Sequence, residues 1–380
     1  MSSRGPLIKS TEIEKGMKRA VHPVNPDAVR YTASLGDMAG MRDMGLHRCR
    51  LDPHTESTVI HYHLNTSEWI YILSGTGTIQ LVDSSLPPKQ IQPPYPITEH
   101  PVGPGDFLGF SVESAPSHAH CLKAGSEGLE YICGGTKTRL DGCVYPQLNK
   151  TLFHNDIDNV EFGMIEGTSL SVSTHLPRVV ENNMMSLSPH HPLLVAAEID
   201  AALKPNSHPL NPDNVRHSAC ISDMVGMKGL GVHKIRLEPN VESTTIHYHL
   251  NGAEWFYILK GSATLLLIDA SIPHHEGFKA FSDATWTSRN VEDAKEYQVE
   301  ERQVGPGDFM GFQGGLTAGQ YAHGLRAGPE GLEYLCGGTR DTFDVCCYPQ
   351  KGITNMFEST SETTIWAPVE ASKVPKDQEA

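Results

Sequence analysis

The chain spells one eighteen-residue stretch twice, and that stretch limits what it can fold into. Residues 58–75 read TVIHYHLNTSEWIYILSG and residues 244–261 read TTIHYHLNGAEWFYILKG. Each copy holds two runs rich in β-branched and aromatic residues, with a polar break between them, which is the signature of paired strands. Side chains two apart on a strand share a face, so His61 and His63 point the same way, as do His247 and His249. A hairpin returns Glu68, or Glu254, beside them. Two imidazoles and a carboxylate converging on one face suit a divalent first-row metal. A lone His-x-His is more often a pair of core histidines; an intact second copy with its Glu at the same spacing favours metal binding.

The duplication extends well beyond this stretch. His22-Pro23 and His208-Pro209 open the copies, and an offset of 186 holds through both His-x-His motifs. It widens to 202 at Val102-Gly103-Pro104-Gly105-Asp106-Phe107, matched by Val304-Gly305-Pro306-Gly307-Asp308-Phe309. The extra residues of the second copy belong to a longer surface loop between Ile272 and Gln303, which carries Phe278, Phe281, Trp286 and Tyr297. Those aromatic residues are expected either to cover the mouth of the second site or to pack a domain interface. Later in each copy comes a further histidine. His118 competes with His120 in the first, but its counterpart is Tyr321, so the repeat selects His120 and His323.

These offsets place an N-terminal arm at 1–21, one domain at 22–150, a connector at 151–206, a second domain at 207–355 and a tail at 356–380. The connector should hold one short helix near Pro192 to Leu203, and the last ten residues should fray. Elsewhere short apolar runs alternate with Gly, Pro, Asn and Asp, an all-β pattern.

Composition removes several function classes. Across 380 residues, 45 Asp and Glu against 30 Lys and Arg give a formal charge of −15, which disfavours nucleic acid and anionic membrane surfaces as partners. No apolar run approaches the ~20 residues of a membrane span, and the N-terminus lacks a signal-peptide core. A cytoplasmic location is expected. The eight cysteines show no C-x-x-C pair and read as reduced thiols without a catalytic role, Cys133 and Cys336 falling at matching positions.

H-x-H, four residues, E, six residues, G, then a separate G-P-G-D and a later His together resemble the two-part motif of the cupin superfamily. The duplication resembles a bicupin, with matching regions over about residues 22–147 and 208–350. The resemblance implies an all-β fold of two tandem cupin barrels, of double-stranded β-helix or jelly-roll form, joined by a short helical connector. It also implies one divalent metal per domain, held by His61, His63, Glu68 and His120 and by His247, His249, Glu254 and His323. Three imidazoles and a carboxylate leave two positions open on a six-coordinate ion. Fe(II) or Mn(II) is favoured there, with Zn, Ni or Cu as alternatives.

Strand parity adds further candidates. In Gly45 to Leu51, His47, Cys49 and Leu51 share one face and the arginines take the other; in the second copy His233, Ile235 and Leu237 oppose Lys234 and Arg236. The His face should turn into the barrel, making His47 and His233 candidate acid–base groups or substrate anchors, against the plainer reading of core histidines. Tyr62 and Tyr248 should face away from the metal. Ile70, Ile72, Phe256 and Ile258 should make the pocket walls apolar.

The leading expectation is a metal-dependent oxidoreductase, a dioxygenase that takes O2 and a small, aromatic or diketone-like substrate. An oxalate-decarboxylase-like enzyme is the alternative, weakened because the stretch Gly134 to Asp141 offers only Asp141 as a lid carboxylate. A metal-dependent isomerase or lyase and a non-catalytic binding or storage bicupin are further readings. The second site ranks slightly ahead of the first as the catalytic one, and homo-oligomer formation is compatible with the sequence.

Overall fold

The computed structural model describes residues 5–85, 93–158, 160–166, 190–271, 297–358 and 364–368. The chain divides into two compact units, residues up to 203 with 219–234, and residues 204–218 with 235 onward. Each unit carries one of the two motif sets.

In the first unit one eight-stranded sheet is built around two long antiparallel strands, Glu68–Val82 and Ala119–Thr136. Beyond Ala119–Thr136 lie Met44–Leu51, Asn25–Ser34 and Lys18–His22; beyond Glu68–Val82 lie Phe107–Phe110 and Leu193–Leu194, with Thr98–Val102 paired to its far end. A four-stranded sheet, in the order Val160–Glu166, Lys150–Asn155, Asp141–Tyr145 and Tyr62–His63, faces the site. The second unit repeats the arrangement: Glu254–Ile268 pairs with Phe309–Phe312, Glu300–Val304 and Ala322–Thr339. Its smaller sheet runs Tyr248–His249, Phe343–Tyr348, Ile353–Glu358 and Thr364–Pro368. Both are the jelly-roll barrels expected from the motif.

Long strands must bend to enclose a barrel. Register shifts between Ile72 and Ser74 and between Gly75 and Gly77 supply the bend in Glu68–Val82. Gly75 takes φ 77° there, and a Cβ on it would lie 2.2 Å from the Gly128 carbonyl oxygen. Inside the barrel Ile70, Ile72, Ile79, Leu81, Leu108, Leu122 and Tyr131 form a buried cluster. Trp69 is fully buried and stacks on Phe107 with ring centroids 6.2 Å apart.

The Gly-Pro-Gly-Asp turn has a second use. Asp106 Oδ2 accepts from the Gly103 N–H at 2.8 Å, closing the turn, while its Oδ1 accepts from the Ala196 N–H at 2.8 Å, capping a helix. That helix spans Ala196–Ala202, so the expected connector helix is present. It starts after Pro192 because Leu193 and Leu194 pair with Leu108 and Phe107. The segment from 151, assigned from sequence to the connector, instead begins with strands Lys150–Asn155 and Val160–Glu166, which extend the smaller sheet. Ile353–Glu358 does the same in the second unit. Identities between the copies fade here because pairing at a sheet edge requires alternation and not particular residues.

Phe278, Phe281 and Trp286 of the long loop lie outside the described residues, as does the tail expected to fray; Tyr297 packs against the cluster of Ile246, Leu266, Ile268 and Ala322. Among the described residues no helix is long and apolar enough to cross a membrane.

The bend is open to a direct test. Gly75→Ala should lower stability by about 3 kcal/mol, because it adds a strained φ to a backbone collision. Gly103→Ala, whose Cβ would meet nothing within 4 Å, should stay within about 0.5 kcal/mol. Denaturant midpoints of the two variants decide this, and equal midpoints would remove the steric account of the bend.

Candidate metal centre

Two backbone hydrogen bonds bring the histidines of the first set together from distant parts of the chain. The His61 N–H donates to the His120 oxygen at 3.1 Å and the His120 N–H to the His61 oxygen at 2.8 Å. Glu68 enters from the start of the neighbouring long strand. Its Oε2 lies 3.1 Å from His120 Nε2, 3.6 Å from His63 Nε2 and 3.8 Å from His61 Nε2. The second set repeats this: Glu254 Oε2 lies 2.8, 3.4 and 3.8 Å from the Nε2 atoms of His323, His247 and His249. The structure therefore assembles all eight residues that the motif selects. His118 contributes its carbonyl oxygen, which accepts from His120 Nδ1 at 3.1 Å.

Whether these groups fit a metal turns on their tautomers, and every ring gives the same answer. His61 and His120 donate Nδ1–H to the carbonyls of Val59 and His118; His247 and His323 donate to those of Thr245 and Tyr321. His63 donates to Asp141 Oδ2 at 2.6 Å and His249 to Asp344 Oδ2 at 2.7 Å. With each Nδ1 proton already engaged, each Nε2 faces the point beside the carboxylate, where it can present a lone pair once a metal ion displaces any proton held there. That is the arrangement ligating histidines adopt, and in both units it suits one divalent metal ion.

The electrostatics agree. Burial, then the charges of His120 and His63, holds His61 well below its ordinary value and thus neutral. Burial works to raise the Glu68 carboxyl, but the bond from His120 and the charges of all three imidazoles outweigh it, leaving the group far below the usual carboxylate range. Glu254 behaves in the same way beside His247 and His323. Burial would lower His63, yet the Asp141 bond and the Glu68 charge lift it to about 8. Without a metal the cluster holds a proton where a cation belongs.

Asp141 changes role. Sequence leaves it as a candidate lid carboxylate; the structure buries it completely and spends it on His63. Thr66 Oγ1, the Asn65 N–H and the Gly142 N–H also donate to it, at 2.7, 2.9 and 2.8 Å. Asp344 is its counterpart, taking the N–H groups of Asn251, Gly252 and Val345. The repeat aligns the two, and that was the available signal. A second missed pair joins the ends of each copy: Tyr145 meets His22 at 3.4 Å, and Tyr348 meets His208 at 3.0 Å. In each, the histidine Nδ1 accepts a backbone N–H, so Nε2–H is the donor to the phenol oxygen.

A cavity of about 490 Å³ opens over the first set. His47 lines it, as strand parity predicts, while Arg48 and Arg50 lie on the other face in ion pairs with Glu14 and Glu130. Burial and then the charge of Arg30 depress His47 to about 4, so its imidazole is neutral near pH 7. His233 is half-buried on Leu230–Leu237, and its match to His47 rests on the repeat. Tyr62 packs away from the metal with Ile60, Val82, Tyr95 and Val144. The walls are more polar than expected: Ile70 and Leu152 line the cavity, but so do Arg30, His22, Tyr145, His154 and Asp156. These come from strands that the parity reading of the hairpin does not reach.

No family model and no curated protein matches the chain. Among solved structures, a protein of Acidithiobacillus ferrooxidans assigned provisionally as a sugar phosphate isomerase is 32% identical, over 43% of this chain and 94% of its own, with a TM-score of 0.36. Oxalate decarboxylase of Lactobacillus farciminis in its formate complex is 13% identical, over 88% of this chain and 86% of its own, at a TM-score of 0.47. That of Bacillus subtilis at pH 4.6 is 14% identical, over 89% and 77%, at 0.47.

Elemental analysis of reconstituted protein should find close to two first-row metal ions per chain. Glu68→Gln and Glu254→Gln should each lower occupancy at its own site alone. Asp141→Asn, which weakens the hold on the His63 ring, should reduce affinity at the first site by about 10–100-fold and spare the second. Unchanged occupancy in all three variants would show that none of the three carboxylates takes part.

Proposed function

We propose that the chain is a bicupin of the cupin superfamily and a metal-dependent oxidoreductase, a dioxygenase acting on a small organic substrate. The observation that carries this reading is a complete three-histidine, one-carboxylate donor set opening onto a cavity of about 490 Å³, a volume suited to a small molecule. We place the working site at the first set, over which this cavity opens, although the sequence ranks the second slightly ahead.

His61, His63, Glu68 and His120 would hold the metal. Bound there, a first-row ion with open positions supplies Lewis acidity and, as Fe(II) or Mn(II), a means of engaging O2. The chain's own residues do the rest. Asp141 and the carbonyls of Val59 and His118 fix the ring orientations. His47, held neutral in the cavity wall, can orient a substrate hydroxyl by a hydrogen bond and, with its basicity depressed, is not the proton acceptor. Phe110 stacks on His120 with ring centroids 3.4 Å apart and covers that face of the imidazole. Against the decarboxylase alternative stands Asp141, the one carboxylate of the proposed lid stretch, which is buried and already bonded.

Oxygen consumption by metal-loaded protein, screened with phenolic and diketone substrates, tests the proposal. Substrate-dependent uptake is expected, abolished by His61→Ala and retained by His247→Ala. Release of CO2 from oxalate without net uptake would replace the dioxygenase with the decarboxylase. The converse mutational pattern would return catalysis to the second site.

A further inference from the structure

The first cavity contains a cation that the metal site does not use. Arg30 lies on Asn25–Ser34, and the register Thr32↔Cys49 and Ser34↔His47 puts Arg30, Thr32 and Ser34 on the strand face that turns inward with His47 and Cys49. The cavity lining includes it. Its charge is felt by Cys49, Tyr131, Cys133 and Glu68. Of these only Glu68 is a carboxylate, and three imidazoles already engage it. Among the described residues no carboxylate forms an ion pair with Arg30, in contrast to Arg48 and Arg50 one strand away, which share Glu14 and Glu130. Asp156, also in the cavity wall, is bonded to His154 at 2.8 Å, and Glu161, the remaining carboxylate of the lining, forms no ion pair with Arg30. The repeat places Arg216 at the equivalent position, where Nη1 reaches the Ser243 carbonyl at 3.5 Å and Nε is buried without a partner.

An inward-facing guanidinium with which no carboxylate among the described residues forms an ion pair is a recognition group awaiting one. We propose that Arg30 anchors the carboxylate of a small organic acid bound in the first cavity. Guanidinium offers two parallel N–H donors that match the two oxygens of a carboxylate. The lining contains no lysine and no second arginine, so the cavity provides for one anionic group of single charge and not for a phosphate dianion. This deepens the functional reading above by naming the substrate class, and it rests on that reading only for the reaction that follows binding.

The test is calorimetric titration of metal-loaded protein with benzoate, with benzamide as its neutral counterpart, and with inorganic phosphate. Wild-type protein should bind benzoate and not benzamide. Arg30→Gln should weaken benzoate by about 10–100-fold, the loss of a charge-assisted bidentate pair, and Arg30→Lys should recover part of it. Metal content by elemental analysis and the unfolding midpoint should be unchanged in both variants. Three results would overturn the proposal: benzoate binding indifferent to Arg30, phosphate bound more tightly than benzoate, or no anion bound by the wild type. A fall in metal content in Arg30→Lys would overturn it too, by making Arg30 a support of the cluster. Repeating the titration after chelation separates the two ideas. Arg30-dependent benzoate binding without any metal uptake would sink the metal reading and leave the anchor standing.

Discussion

Each metal cluster depends on one constraint: every histidine must keep its Nδ1 proton. An imidazole with a free Nδ1 can turn over or shift its proton to Nε2, and either change withdraws a lone pair from the metal. The barrel prevents this by two means. His61 and His120 lie on strand segments whose own backbone carbonyls, two residues back, accept the Nδ1 proton. His63 has no such carbonyl and uses Asp141, brought over by pairing of Cys143 with His63. The cross-strand register is therefore part of the coordination chemistry. A slip of one residue would turn His63 away from the cluster and take Asp141 with it.

That division of labour explains how much was legible in the sequence. The His-x-His pairs, their glutamates and His120 with His323 follow from strand parity and repetition, because those signals are local. His47 followed by the same rule. Arg30 obeys it as well, one strand further out, and matches Arg216 in the repeat; it escaped because the parity reading stopped at the strand of His47. Asp141 was visible but misassigned, since nothing local to residues 134–141 says that the chain there passes under His63. The His22–Tyr145 and His208–Tyr348 pairs join the beginning of each copy to a strand near its end, a contact that only closure of the barrel creates. Local pattern specifies faces; long-range pairing decides which faces meet.

The two copies are not interchangeable. Their ligand geometries agree, yet their walls differ where no ligand is involved. Cys49 and Cys133 approach to 4.0 Å between sulfurs in the first unit. The second has Ile235 in place of Cys49, and there Cys336 reaches Glu254 Oε1 at 3.4 Å. Thr66 bonds Asp141 through its hydroxyl, whereas Gly252 serves Asp344 only through its backbone. The copies thus keep their ligands while the contacts around them diverge.

A cluster of this kind also weighs on the stability of the fold. Three imidazoles and a carboxylate are buried together, and the shifts of His61, His63 and Glu68 leave a proton on His63 beside a neutral His61 and an ionised Glu68, a buried charge pair that the fold must carry. The barrel folds regardless because the surrounding layers of Trp69, Phe107, Ile72 and Leu122 are fully buried and do not depend on the site. A bound divalent ion would take the place of that proton. Ligand linkage then makes the metal a stabiliser of each unit, worth about 2.7 kcal/mol at a hundredfold excess over its dissociation constant. The polar end of the barrel is thus completed by the ion, while the apolar end holds the shape that receives it.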